Sequence, residues 1–420
     1  MHTKFFILTA EFILYVFLFL VAFNYIFNSV LEFLNTKNWK NNIPENLKDF
    51  YSKEKYTQAR NYKIDKGKIG LISSSISFLV TVSFLIFNGY GLLNEYILSA
   101  DVLNKFPSQY FFTALFLINF FIGIPISYYS NFVIEEKFGF NKMDTKTFIL
   151  DKLKSFVISI VLIFALTSLA VFIIDYFSSG FWIWLWISLS VLMILLNMFY
   201  ADLIVPIFNK LTPLESGDLR SKIEKYSSKV GYSLKNIFVI DGSKRSTKAN
   251  AFFSGIGPRK TIALFDTLVD NYTDDELVSV LAHEVGHYKK NHILLSIFLT
   301  ISQLALICFV FELCLDQNLI ANALGSSTMN FHLGIIGFSL LYSPLSLITG
   351  IFMNMLSRKN EYEADDYAKN TSSGQALQSA LKKLSADSLS NLYPHPLYVF
   401  VHYSHPPLLK RLHALNNKPH

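Results

Sequence analysis

The segment Leu281-Ala-His-Glu-Val-Gly-His-Tyr288 carries two histidines four residues apart, with a glutamate directly after the first. An α-helix turns once in about 3.6 residues, so His283 and His287 project from one face, close enough to share a tetrahedral Zn²⁺. Glu284, one position on, is angled beside such a metal instead of onto it. There it can take a proton from a water whose pKa the metal lowers from about 15.7 to roughly 7, and pass it to a departing amine. This is the chemistry carried by the HExxH pattern. Two imidazoles leave a hydrolytic zinc one protein ligand short. In Ser357-Arg-Lys-Asn-Glu-Tyr-Glu-Ala-Asp-Asp-Tyr-Ala368, Glu361 and Asp365 are four apart on what reads as a helix, and both face the same way. One can bind the metal and the other can accept a hydrogen bond from a ligand histidine, while Glu363 points elsewhere.

Specific elements must position these groups. Thr273 stands three residues before Glu276 in a capping-box pattern, and Asp274 and Asp275 place negative charge in a first turn, where the macrodipole favours it. Leu277, Val280, Leu281 and Val285 recur at helical spacing, which predicts a helix from about Thr273 to Tyr288. The chain of 420 residues is 52% hydrophobic and only 16% charged, against about a quarter in soluble proteins, which makes it an integral membrane protein. Seven runs without Lys or Arg are long enough to span a bilayer, at about 5–31, 70–95, 109–133, 155–177, 181–204, 293–315 and 333–355. The first is too long for a signal-peptide core and has no small-residue cleavage site after it, so it is expected to stay as a helix.

With seven spans, every one of the 37 Lys and Arg residues except Lys4 and Lys105 falls on one side. The positive-inside rule puts that side, with the carboxy terminus, in the cytosol and the amino terminus outside or in a lumen. The net charge of +6 then reflects topology and attraction to anionic lipid heads, and gives no case for nucleic acid. Both cysteines, Cys308 and Cys314, lie inside the sixth span, which excludes a disulfide framework and a cysteine metal site.

This layout divides the chain into transmembrane helices 1–5 with their loops (1–205), a first extramembrane part with the HEVGH helix (206–292), helices 6 and 7 (293–355), and a second extramembrane part (356–420). Spans six and seven form a hairpin that returns the chain to the face it left, so Glu361 can reach a metal held by His283 and His287. Between strands expected at Ile237–Ile240 and Thr261–Leu264 lies the stretch from Asn250 to Phe253, with Gly255 and Gly257-Pro258 as a turn. A protease must hold its peptide extended, and an exposed strand edge does so with main-chain hydrogen bonds that ignore side-chain identity. Asn250 and Ala251 are the candidates for that edge, a packed hairpin without a ligand being the alternative.

In order along the chain, Phe132-Val-Ile-Glu-Glu-Lys-Phe-Gly-Phe-Asn141, Phe208-Asn-Lys-Leu-Thr-Pro-Leu214, Asp241-Gly-Ser-Lys-Arg-Ser246, Asn250-Ala-Phe-Phe-Ser-Gly255, Leu264-Phe-Asp-Thr-Leu268, the HEVGH, Glu361 with Asp365, and Ser404-His-Pro-Pro-Leu408 form a specific set. Nearly end to end, the chain resembles the M48 family of integral-membrane zinc metallopeptidases, of the CAAX prenyl protease type. The resemblance implies a mainly α, polytopic fold: seven transmembrane helices enclose a chamber, capped on the cytosolic side by a zincin-like domain with a small β-hairpin or sheet. It also implies one Zn²⁺ per chain held by His283, His287 and Glu361, Glu284 as general base, and a peptide or protein substrate, lipidated or not, at the bilayer. His405 and Arg411 match residues near the substrate, His405 being placed to steady an oxyanion. Taken alone, His405 is one of several histidines in a Pro-rich tail, and Arg411 would be a solvated charge.

The chain departs from the eukaryotic members, which resemble one another in a histidine shortly before the asparagine matching Asn250, where this sequence reads Thr247-Lys248-Ala249. It also ends in Asn416-Asn-Lys-Pro-His420, with no dilysine signal. Both points favour a bacterial inner membrane over the endoplasmic reticulum, and a quality-control protease without prenyl substrates is the corresponding alternative. An intramembrane-cleaving site-2-type protease would need the HExxH inside an apolar span, and Lys289, Lys290 and His292 follow it directly. A non-enzymatic zinc-binding or transport protein would have no need of Glu284. Nothing in the sequence sets an oligomeric state.

Overall fold

The computed structural model describes residues 9–232, 234, 236–254, 261–315 and 317–417. Among these, seven helices are long and apolar enough to cross a membrane: Ala10–Lys37, Lys53–Ile86, Pro107–Glu135, Thr145–Phe177, Phe181–Phe208, His292–Leu315 and Phe331–Thr371. They answer one for one to the runs in the sequence, and they differ at the ends for physical reasons. The expected start of the first span at residue 5 lies outside the described residues. The second helix begins well before its apolar run, because the charged stretch after Lys53 stays helical, with Ser52 Oγ accepting from Lys55 N at the cap. It also ends at Ile86, short of the expected residue 95. Asn88 takes the left-handed conformation at φ +54°, which asparagine tolerates, and a separate helix, Gly89–Ser99, follows. Leu92, Leu93 and Ile97 keep the run apolar across that turn, so hydropathy does not register it. The seventh helix runs on for 41 residues, and its last turns carry Glu361 and Asp365 on the same rod that crosses the membrane.

Between the fifth and sixth membrane helices the chain builds a four-stranded sheet: β1 (Leu211–Pro213), β2 (Asn236–Ile240), β3 (Ala251–Ser254) and β4 (Thr261–Phe265), in the order β1-β2-β4-β3. β2 and β4 are parallel, while β3 pairs antiparallel to β4 and forms one edge. The expected strands are therefore present within a larger sheet than a hairpin, and the expected turn at Gly255 and Gly257-Pro258 lies outside the described residues. The HEVGH residues sit on the helix Asp274–Lys289, called the motif helix below. Its apolar stripe of Leu277, Leu281 and Val285 shares one buried core with Ile262 and Leu268 on one side and with Ala368, Leu377, Ala380 and Leu415 on the other. The segments before the sixth span and after the seventh thus complete a single core. Each buried leucine contributes about 1.5–3 kcal/mol to keeping them together.

The capping box at the start of the motif helix is formed in full: Thr273 Oγ1 accepts from Glu276 N, and Glu276 Oε2 accepts from Thr273 N at 2.9 Å. The same carboxylate also accepts from Ser379 Oγ (2.6 Å) and Lys383 Nζ (2.7 Å) on the helix Gly374–Asp387. Burial opposes ionisation of Glu276, but these donors outweigh it and hold the carboxyl below its ordinary value. A carboxylate with a lowered folded pKa stabilises the fold above its unfolded value, and loses that contribution as pH falls through the folded one. Glu276→Gln is therefore expected to cost about 1–3 kcal/mol near pH 7. The gap to the parent should narrow below about pH 4.3, the ordinary glutamate value. Thermal unfolding in detergent across pH checks this, and a pH-independent gap would contradict it.

Candidate metal centre and active site

Gly286 sets how closely the motif helix meets the seventh membrane helix. A Cβ at this position would lie 3.1 Å from Ala364 Cα, from Ala364 O and from Tyr367 Cβ, so any larger residue pushes the two helices apart. At this separation Glu361, one turn before Ala364, stands opposite His283 and His287. The two Nε2 atoms are 3.2 Å apart, Glu361 Oε1 is 3.2 Å from His287 Nε2, and Glu361 Oε2 is 3.4 Å from His283 Nε2.

The outward sides of the two rings determine what this convergence means. His283 Nδ1 lies 2.9 Å from Asp365 Oδ1, a carboxylate gripped in turn by the Arg411 guanidinium through Nε (2.8 Å) and Nη2 (2.6 Å). His287 Nδ1 lies 3.1 Å from His292 Nδ1, and His292 Nε2 is 3.1 Å from Glu363 Oε2. A carboxylate can only accept, so His283 carries its proton on Nδ1 and turns the Nε2 lone pair inward. A His287 protonated on Nδ1 in the same way would put two lone pairs and a carboxylate at one spot. Such groups repel unless a cation sits among them. A tetrahedron with metal–ligand bonds of about 2.0–2.1 Å sets its ligands roughly 3.3–3.4 Å apart, close to the spacings observed. Glu361 Oε2 supports the same reading, being buried without a hydrogen-bond donor, although Arg411 Nη1 makes an ion pair with it at 3.2 Å. Burial opposes charge on His283, but the Asp365 and Glu361 carboxylates beside it raise its pKa to about 9, so this spot favours positive charge, which a bound cation would supply in place of a second ring proton. Among the described residues, His283, His287 and Glu361 form a group able to hold a metal ion.

Glu284 lines the same cavity, of about 140 Å³, together with His405, Asn250 and Ala251. His405 is mostly exposed, with Nε2 3.3 Å from Glu361 Oε1 and Nδ1 2.9 Å from Ser404 Oγ. Ala251 opens the edge strand β3. Because Asn250 O accepts from Phe265 N, alternation along the strand turns the main-chain groups of Ala251 away from β4, toward the open edge. Its N–H is met by the Asn250 side chain at 2.9 Å.

Two readings of single residues are refined by the structure, and one residue without a reading gains a role. Arg411 is no solvated charge but is buried at 8% exposure, because Asp365 and Glu361 need a cation that a fixed fork can serve. Glu363 points elsewhere than Glu361, as expected, but still reaches the site indirectly, since the turn through Asn291 (φ +58°) folds His292 back between it and His287. Lys248 also carries structure: it reaches Glu135 Oε2 at 2.8 Å, and Glu135 accepts from Tyr62 (2.8 Å) as well, tying the approach to β3 to the second and third membrane helices. Neither His292 nor Lys248 lies in a recognisable motif, and only the regular offset of five from His287 to His292 could have hinted at the former.

Family comparison agrees with this geometry. Residues 32–210 match the model described as CAAX prenyl protease N-terminal, five membrane helices, and residues 213–418 match peptidase family M48. CAAX prenyl protease 1 of Saccharomyces cerevisiae is 35% identical over 400 residues, covering 89% of this chain and 88% of the relative. The CAAX prenyl protease 1 homolog of Arabidopsis thaliana is 34% identical, covering 94% and 95%. The crystal structure of S. mikatae Ste24p superposes with a TM-score of 0.90 at 33% identity, covering 96% of this chain and 99% of that one. The chain therefore belongs to peptidase family M48, with a CAAX prenyl protease N-terminal region, and is a multi-pass membrane metallopeptidase.

Proposed function

We propose that this protein is a zinc endopeptidase in which His283, His287 and Glu361 hold Zn²⁺ and Glu284 is the general base. The observation that carries the reading is the convergence of three ligand atoms within 4.8 Å of one another, in a cavity that Glu284 also lines. When bound, the metal supplies a Lewis acid that brings a water's acidity into the neutral range. Glu284 takes the proton of the attacking water and delivers it to the leaving amine. His405, exposed and aimed at the same point, donates to the oxygen on which negative charge develops. Asn250 and Ala251 hold the substrate main chain along the open edge of β3, exchanging the internal Asn250–Ala251 contact for contacts to the peptide. Asp365 fixes the His283 ring, and Arg411 fixes Asp365 and balances the acidic pair beside the metal.

The substrate class follows from the relatives' names and from the shape of the interior. A cavity of about 1000 Å³ lies between the first two membrane helices, reaching Tyr398 and His402, and it shares Lys63, Lys66 and Tyr398 with a second of about 570 Å³. The second shares His405 and Arg411 with the cavity of Glu284. This series of adjoining cavities, from apolar helix walls to the proposed metal site, suits a peptide carrying a membrane-seated lipid, as in CAAX processing. The basic side, with the site and the carboxy terminus, is placed in the cytosol. The bacterial inner membrane expected from the sequence draws no support from the relatives named above, which come from eukaryotes.

Cleavage of a quenched peptide by purified protein should stop with chelator and return with zinc. Glu284→Gln should lower turnover by about 10²–10⁴ while zinc remains bound. Metal analysis should show zinc lost from Glu361→Ala, and normal zinc there would remove Glu361 from the ligand set. His405→Ala should keep its zinc and turn over about 10²–10³ more slowly. A carboxy-terminal reporter fusion should signal from the cytosol, and a signal from the opposite side would reverse the topology.

A further inference from the structure

His292 and Glu363 have no place in the chemistry above, and yet they form a chain that ends on a metal ligand. His292 is the first residue of the sixth membrane helix and is buried at 5% exposure. One ring nitrogen meets His287 Nδ1 and the other meets Glu363 Oε2, each at 3.1 Å. Glu363 stands two residues after Glu361 on the seventh membrane helix, 40% exposed, with Lys359 Nζ 3.8 Å from its Oε1. On the assignment of His287 as a zinc ligand, we infer that His292 and Glu363 are positioning residues for it. They act as a relay that fixes its proton on Nδ1 and its Nε2 lone pair toward the metal.

The direction of each hydrogen bond is set from both ends. Glu363 accepts, so His292 is protonated at Nε2, and because two N–H groups cannot face each other across the 3.1 Å between the Nδ1 atoms, a His287 that turns its Nε2 lone pair to the ion and keeps its proton on Nδ1 requires His292 to be bare at Nδ1. A bare Nδ1 can only accept, so His287 donates to it from its own Nδ1, and Nε2 is left with its lone pair for the ion. The two ligand histidines are thereby served differently. His283 meets a carboxylate directly, whereas His287 reaches one only through a second imidazole. The relay also spans the joint between the extramembrane part and the membrane helices. Asn291 turns the chain left-handed between the motif helix and the sixth span, and His292 bonds across that turn to the seventh.

Partners of this kind change metal affinity by about 10- to 100-fold. The full-length protein in detergent, loaded with zinc, is challenged with excess chelator, and the rate of zinc release is read with a chromophoric acceptor. His292→Leu, which fills the site without polar atoms, should release zinc about 10- to 100-fold faster than the parent. His292→Gln should recover most of the loss, because one amide can accept from His287 with its oxygen and donate to Glu363 with its nitrogen. Glu363→Ala, at a half-exposed position that poses no folding risk, should speed release in the parent and have no further effect in His292→Leu. Release from His292→Leu within about twofold of the parent, or an equal effect of Glu363→Ala in both backgrounds, would overturn the inference. If His292→Leu does not fold, unchanged release from Glu363→Ala alone overturns it. If Glu361→Ala holds zinc as tightly as the parent, the ligand assignment itself is wrong and this inference goes with it. Normal behaviour of Glu361→Ala as a zinc-depleted variant confines any failure to the relay.

Discussion

The approach of two helices at a glycine governs this protein. Gly286 lets the motif helix lie against Ala364, and at that distance a carboxylate from the end of a membrane rod enters the space between two imidazoles. Neither helix could present the three donors alone. Burying like lone pairs together is unfavourable, and here the surrounding structure holds them in place: the shared apolar core of Leu277, Leu281, Val285 and Ala368, and the Glu276 clasp on Ser379 and Lys383. The polarity of the pocket is then complete only with a cation, which is how packing energy in the extramembrane part becomes metal affinity.

Charges are arranged in layers around that point. The inner layer is the proposed ligand set of His283, His287 and Glu361. Outside it, Asp365 and the His292–Glu363 pair dictate which nitrogen of each ring faces inward, and Arg411 is buried against Asp365 and Glu361 so that the carboxylates are not left unbalanced. Farther out, Lys248 and Tyr62 converge on Glu135 at the π-helical end of the third membrane helix, coupling the edge strand to the membrane domain. Catalytic geometry and membrane packing are therefore continuous in this fold. Cavities with shared lining residues follow the same boundary from the first two helices to His405 and Arg411.

Much of this was legible in the sequence because its signals are local. The capping box at Thr273 and Glu276, the spacing of His283 and His287, and the seven apolar runs need only neighbouring residues to be read. Glu361 and Asp365 were accessible too, since a helix hairpin constrains where a chain can return. The failures came where the decisive contact is distant or the signal is masked. The turn at Asn88 hides within an apolar run, the burial of Arg411 depends on carboxylates 46 and 50 positions away, and the role of Glu363, off the Glu361–Asp365 face, depends on a partner in another element.

By itself, then, the sequence determined the metallopeptidase chemistry and the seven apolar spans, because side-chain type and helical periodicity are properties of short stretches. Tertiary structure alone decided that His292 and Glu363 stand behind His287, that Arg411 is buried against Asp365 and Glu361, and which cavities border the site. Those outcomes depend on distances of about 3 Å between segments remote along the chain, and no local pattern encodes such distances.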